Sequence, residues 1–255
     1  MSSSTWTPAA LSSDARPASG RCWRLVEAQH HVSTAKLTDN SQEQERLEAL
    51  LERSKPAIPE ECRQLHYLLF TPFRYGAAYP RGSRFRRAGI TPGVFYASET
   101  ARTAATELAF YRLLFFAESP KTPWPANPGE FTAFAVDYRS DRSIDLRSPP
   151  FDRESASWAH PTNYEPCQQL AEACRPVGID IIRYASARDP QPSINIAILR
   201  CRAFARPDPG DRQTWRIQVS QSGARIICEH PRALLNFDRA AFAADPRIAQ
   251  MAWDR

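Results

Sequence analysis

The chain has 255 residues, 42% of them apolar, and a formal net charge of +5 carried by 30 arginines and only 3 lysines. That is enough apolar material for a packed core, but no run approaches the ~18 apolar residues of a membrane span. Guanidinium forks suit phosphates and carboxylates. Here they are interleaved with 28 acidic residues and form no dense stripe or helix-turn-helix, so direct nucleic-acid binding is not expected.

Residues 1–20 are mostly Ser, Ala, Thr and Pro. They lack the apolar stretch of a secretory signal, which predicts a cytoplasmic protein, and their low complexity predicts a disordered tail over 1–21. Residues 22–31 (CWRLVEAQHH) read as an ordered arm or short helix. SQEQERLEALLER (41–53) reads as a helix with a capping-box start at Ser41 and Gln44, stopping before Lys55 and Pro56. Residues 22–64 are thus predicted to be a helical extension. A strand is expected near His66–Phe70. Further strand signals lie at 93–97, 131–138, 179–185, 194–200, 215–220 and 225–229, the last two joined by QSGA as a hairpin. Helix signals lie at 100–116 and 164–175, and 119–130 and 145–162 read as loops. Strands outnumber helices in mixed order. Residues 65–255 are therefore predicted to be one α+β domain, a compact mixed sheet with mostly antiparallel pairing, flanking helices and a C-terminal hairpin.

The six cysteines form no CxxC and no zinc-finger spacing with histidine, and the adjacent His30 and His31 cannot share one site on a helix, so no metal is expected. Cys167 and Cys174, seven apart in a predicted helix, share a face and are expected to pack there. GxGxxG, GxxxxGK[ST] and GxSxG are all absent, which removes the usual phosphate loops and the hydrolase elbow. In the helix beginning at Thr100, Ala104, Leu108, Tyr111 and Phe115 are spaced as a core stripe, and Glu107 lies in or beside it. A carboxylate there loses hydration and needs a partner. It is either an ion pair to a core arginine or the carboxylate of a pocket; Arg74, Arg84 and Tyr96, folded nearby, would serve either account. Ser186 ends a strand, where serine is ordinarily a turn or cap residue.

Four segments then combine: LHYLLFTPFRY (65–75), GSRF (82–85), VFYASETARTAATELAFYRLLF (94–115) and QQLAEACRPVGIDIIRYASARDP (168–190). In this order and spacing they resemble the RES domain, in its longer form with an N-terminal extension. Shorter members read GGRWN where this chain has Gly82, Ser83, Arg84 and Phe85. The resemblance implies a fold related to ADP-ribosyltransferases, NAD as substrate with no further cofactor, and the toxin role of a bacterial toxin–antitoxin pair with an Xre-type antitoxin as partner. By position, Arg84, Tyr96, Glu107 and Ser186 match the family's arginine, tyrosine, glutamate and serine, and Arg74 and Tyr75 fit an arginine-containing segment before them. The implied roles are charge stabilisation by Glu107 and pyrophosphate binding by Arg84 with Arg74. Tyr96 would border the nicotinamide, and Ser186 would bond the ribose or the amide. Hydrolysis or phosphorolysis of NAD, ADP-ribosyl transfer to an acceptor, and a non-catalytic binding module all remain open at this point, as does homo-oligomerisation.

Overall fold

The computed structural model describes residues 6–28, 34, 37–75 and 82–254. In chain order the elements are α1 (Pro8–Ser13), β1 (Arg16–Glu27), α2 (Ser41–Ser54), α3 (Tyr67–Arg74), β2 (Phe95–Ser98), α4 (Ala101–Glu118), β3 (Gly129–Asp145), α5 (Ser155–Trp158), α6 (Glu165–Cys174), β4 (Ile181–Ala185), β5 (Ile194–Ile198), β6 (Arg212–Ser220), β7 (Gly223–Cys228), β8 (Ala233–Phe237) and α7 (Pro246–Ala249). The fold is α+β, a mixed sheet with flanking helices. Its eight strands run in the order β1-β2-β5-β4-β3-β6-β7-β8, and β1 also pairs with β3. The pairings β1–β2, β2–β5, β5–β4, β4–β3 and β3–β1 therefore close a ring, from which β6, β7 and β8 extend as a meander. Among the described residues only β3–β4 is parallel.

Three apolar clusters hold this arrangement. The buried face of α4 (Ala105, Ala109, Phe110, Leu113) packs on Phe131 of β3 and on Trp215, Ile217 and Val219 of β6. Those β6 residues alternate along the strand, as a half-buried strand requires. Leu68, Leu69 and Phe73 of α3 pack with Phe95, Phe134, Ile196 and Ile198. Cys167, Leu170 and Cys174 of α6 pack against Phe85, Ile144, Ile182 and Leu11, so the expected shared face of the two cysteines is present. No helix among the described residues is long and apolar enough to cross a membrane.

Several sequence expectations are corrected. Residues 8–21, expected as a disordered tail, form α1 and the first half of β1, and residues 22–27, expected as an ordered arm or short helix, complete that strand. Thr7 caps α1 with Pro8 at its first turn, and Leu11 is fully buried. β1 registers with β3 at eleven positions from Arg16 to Glu27, yet most of its N-terminal side chains are exposed. Its order comes from backbone hydrogen bonds, which composition does not report. His30 and His31 lie outside the described residues. The segment around His66–Phe70 belongs to helix α3, with the His66 side chain accepting the Leu68 N–H at 3.2 Å. A short apolar run does not distinguish strand from helix by periodicity. The loop expected over 145–162 contains the short helix α5, and β8 adds a strand beyond the predicted hairpin. Cys62 and Cys201 are joined across 139 residues as a disulfide, a pairing that local spacing cannot reveal.

Because β1 supplies one side of the ring and pairs β3 along most of its length, deletion of residues 1–27 is expected to abolish cooperative unfolding. A thermal melt followed by near-ultraviolet circular dichroism checks this. A sharp transition near that of the full chain would show that β1 is dispensable.

Candidate active site

The sheet register sets the floor of a cavity of about 620 Å³. Tyr184 of β4 lies opposite Asn195 of β5, Asn195 opposite Ser98 of β2, and Ser98 opposite Trp23 of β1. All four line the cavity, one cross-strand row over four strands. Two residues along β2, on the same face by strand periodicity, Tyr96 joins them. The wall opposite is α4, through Ala104, Glu107, Leu108, Tyr111 and Phe115. The predicted core stripe thus exists as a face but borders the cavity, with Tyr111 51% and Phe115 54% exposed. The buried face is Ala105, Ala109, Phe110 and Leu113. α4 is apolar on nearly every side, so periodicity alone could not choose between the two faces.

Glu107 is half-buried and makes no ion pair among the described residues, so the reading of it as the partner of a core arginine is corrected. Its Oε1 accepts two hydrogen bonds, from Ser186 Oγ at 2.6 Å and from Asn195 Nδ2 at 2.6 Å. Ser186 also keeps its turn role: its Oγ accepts the backbone N–H groups of Arg188 and Asp189 at 3.2 and 3.0 Å. It is not among the cavity-lining residues and reaches the site only through Glu107. The charge of Glu107 is felt nearby. Burial first, and then this carboxylate, raise the Tyr184 phenol well above its ordinary range, which keeps it neutral.

Four arginines and two glutamates line the cavity, a positive balance suited to an anionic ligand. Arg84 is 8% exposed in a tight turn closed by reciprocal Ser83 and Arg86 backbone bonds. Its Nη1 donates to the carbonyls of Trp158 and His160 at 2.6 and 3.1 Å, and its guanidinium lies 4.7 Å from the centre of the Tyr164 ring. The Tyr96 hydroxyl secures this turn, accepting the Phe85 N–H at 2.9 Å and bonding Ser83 Oγ at 2.8 Å. Arg188 pairs with the fully buried Asp245 at 3.0 Å and lies over the Phe110 ring at 3.9 Å. Arg247 shares Asp245 at 2.8 Å and reaches Glu118 at 3.6 Å. Arg24 of β1 donates to the Tyr96 carbonyl at 2.8 Å, and burial pulls its guanidinium down to about 10. Among the described residues, Arg24 and Arg84 have no carboxylate within salt-bridge reach.

Of the residues singled out from sequence, the fold brings Arg84, Tyr96, Glu107 and Ser186 together. It does not bring Arg74 or Tyr75 to the cavity. Arg74 ends α3 and binds Glu52 of α2 at 2.6 Å and the Pro56 carbonyl, so it fastens the extension rather than a ligand. Sequence reasoning missed Arg24, Asn195, Tyr164, Arg188 and Arg247. Arg24 had the one available signal, an arginine inside an apolar strand-like run (WRLV); Asn195 sits in a comparable run, INIAI.

A family model described as "RES domain" matches residues 58–220. The chain belongs to the RES-domain family. The sheet of this RES protein extends past the matched residues on both sides, through β1 before them and through β7 and β8 after them. Both flanks reach the cavity, β1 through Trp23, Arg24 and Leu25 and the C-terminal segment through Arg247. Among solved structures, the RES protein is similar to the crystal structure of the M. tuberculosis MbcT–MbcA toxin–antitoxin complex. The identity is 11% and the TM-score 0.44, covering 79% of this chain and 90% of that one. No curated protein matches the chain.

Loss of solvent around the Tyr96 phenol raises it from the ordinary 10.0 to about 12. A raised folded-state value stabilises the fold fully below the ordinary value, and the contribution is lost as pH rises through about 12. Denaturant midpoints measured into the alkaline range are therefore expected to fall over that window. Tyr96→Phe, which leaves the Phe85 N–H and Ser83 without their partner, is expected to cost about 1–3 kcal/mol at neutral pH. An unchanged midpoint in the variant would show that the hydroxyl does not hold the turn.

Proposed function

We propose that the cavity binds NAD and that the protein cleaves its nicotinamide–ribose bond, acting as the toxin of a bacterial toxin–antitoxin pair restrained by an Xre-type antitoxin. Membership in the RES family supports this reading, and the observation that carries it is the state of Glu107. Its carboxylate has one oxygen that accepts from two neutral donors and the other without a partner among the described residues, in a cavity whose other charges are mostly arginine.

Breaking the C–N bond sends the bonding electron pair to the nicotinamide ring nitrogen and leaves oxocarbenium-like positive charge on the ribose. A nearby, water-shielded carboxylate stabilises that charge and accepts hydrogen bonds from the ribose hydroxyls. Arg24 and Arg84 would hold the pyrophosphate through forked, charge-assisted bonds, and among the described residues neither has a competing carboxylate. Tyr96, Tyr111 and Tyr164 offer aromatic faces for the nicotinamide and adenine rings. Water, or inorganic phosphate, then bonds to the ribosyl carbon and gives up a proton, to Glu107 or to solvent. The products are nicotinamide with ADP-ribose or its phosphorylated form, and no cofactor beyond the substrate takes part.

Glu107→Gln keeps the shape and removes the charge. Turnover of NAD is expected to fall at least ~100-fold, the scale of a single electrostatic group, with little change in KM. NAD loss near the wild-type rate in this variant would overturn the assignment. Arg24→Ala is expected to raise KM for NAD ~10-fold or more, as for loss of a hydrogen bond to a charged group. An unaltered KM would remove Arg24 from the pyrophosphate site.

A further inference from the structure

We infer that Asn195, with its amide completed by Ser98, is a positioning residue that makes Glu107 act through a single oxygen, Oε2. For its chemistry the inference rests on the NAD-cleavage reading. Its geometry does not.

The argument is a count of protons and lone pairs. Ser186 Oγ already accepts from two backbone N–H groups, so its one proton is free for Glu107 Oε1. Asn195 Nδ2 gives a second proton to the same oxygen. The opposite amide orientation would set Asn195 Oδ1 against an ionised carboxylate oxygen at 2.6 Å, acceptor against acceptor. With the orientation thus decided, Oδ1 lies on the β2 side. There Ser98 Oγ donates to it at 2.6 Å. Ser98 and Asn195 are register partners on neighbouring strands and are 3% and 4% exposed, so water does not stand in for either bond.

The consequence lies at the carboxylate. Oε1 already accepts two hydrogen bonds, and Oε2 has no partner among the described residues. Any ribose hydroxyl that Glu107 accepts, and any proton it takes up, therefore engages Oε2. The carboxylate plane is set by a side chain 88 residues away on the sheet, not by α4 itself. Losing Asn195 leaves one donor, about which the carboxyl can turn. Substrate would still bind, but the reacting geometry would be held less often.

The test compares Asn195→Ala, the isosteric Asn195→Asp, Ser98→Ala and Ser98→Thr in NAD turnover. Asn195→Ala is expected to lower kcat ~10–100-fold, the scale of one hydrogen bond to a charged group, with KM near wild type. Asn195→Asp, which swaps the donor for a second carboxylate, is expected to lose at least as much. Ser98→Ala is expected to lose less in the same direction, and Ser98→Thr to recover it. Alongside, the Asn195 side-chain amide is followed by NMR in ¹⁵N-asparagine-labelled protein. Its resonances are expected to lie downfield of free amides and to move on Glu107→Gln and on Ser98→Ala. Amide resonances indifferent to both changes, or a KM effect with kcat intact, would overturn the inference. Intact NAD in the wild-type sample would overturn the activity instead, and the NMR arm would then decide the positioning role by itself.

Discussion

Glu107 is a carboxylate on a largely apolar helix face, held among the described residues not by an opposite charge but by two neutral donors on one of its oxygens. A guanidinium in their place would neutralise it and occupy both oxygens. Neutral donors satisfy the buried side and keep the negative charge available to a ligand. For that to happen, the turn after β4, the start of β5 and the second turn of α4 must meet within hydrogen-bond reach. The ring of pairings β1–β2–β5–β4–β3 fixes the first two, and packing of α4 on β3 and β6 fixes the third.

The same division of labour runs through the arginines. Arg188 and Arg247 are committed to Asp245, which lies beyond the family-matched residues, and they stiffen the wall between the α4 face and the C-terminal segment. Arg24 and Arg84 are held by backbone carbonyls and aromatic rings and meet no carboxylate within salt-bridge reach among the described residues. A desolvated cation without a counter-charge is costly. Both arginines line one cavity with Glu107, which makes no ion pair among the described residues; under the proposed reading, the phosphates of the substrate and the charge developing on its ribose would supply the missing counter-charges.

Much of this was legible in the residues. The strands at 131–138, 179–185 and 215–220, the helix at 100–116 and the packing of Cys167 with Cys174 follow from period and propensity alone, and the family resemblance brought Arg84, Tyr96, Glu107 and Ser186 to attention. What was not legible has identifiable reasons. β1 is ordered by backbone pairing with β3 while its first side chains stay exposed, so its composition reads as tail. Arg74 stands in the segment that resembles the family pattern, but its helix points it at Glu52. Asn195 is one polar residue in an apolar strand, and only the register opposite Ser98 and Tyr184 gives it meaning. The face of α4 that borders the cavity could not be told from the face that packs, because both are apolar.

The most direct test of the central claim is to incubate the purified wild-type protein with NAD and resolve the products by mass. The account predicts loss of NAD with release of free nicotinamide, together with ADP-ribose if water is the acceptor or a phosphorylated ADP-ribose if phosphate is. NAD recovered intact, with phosphate present and the protein folded, would contradict it and leave the cavity as a binding site alone.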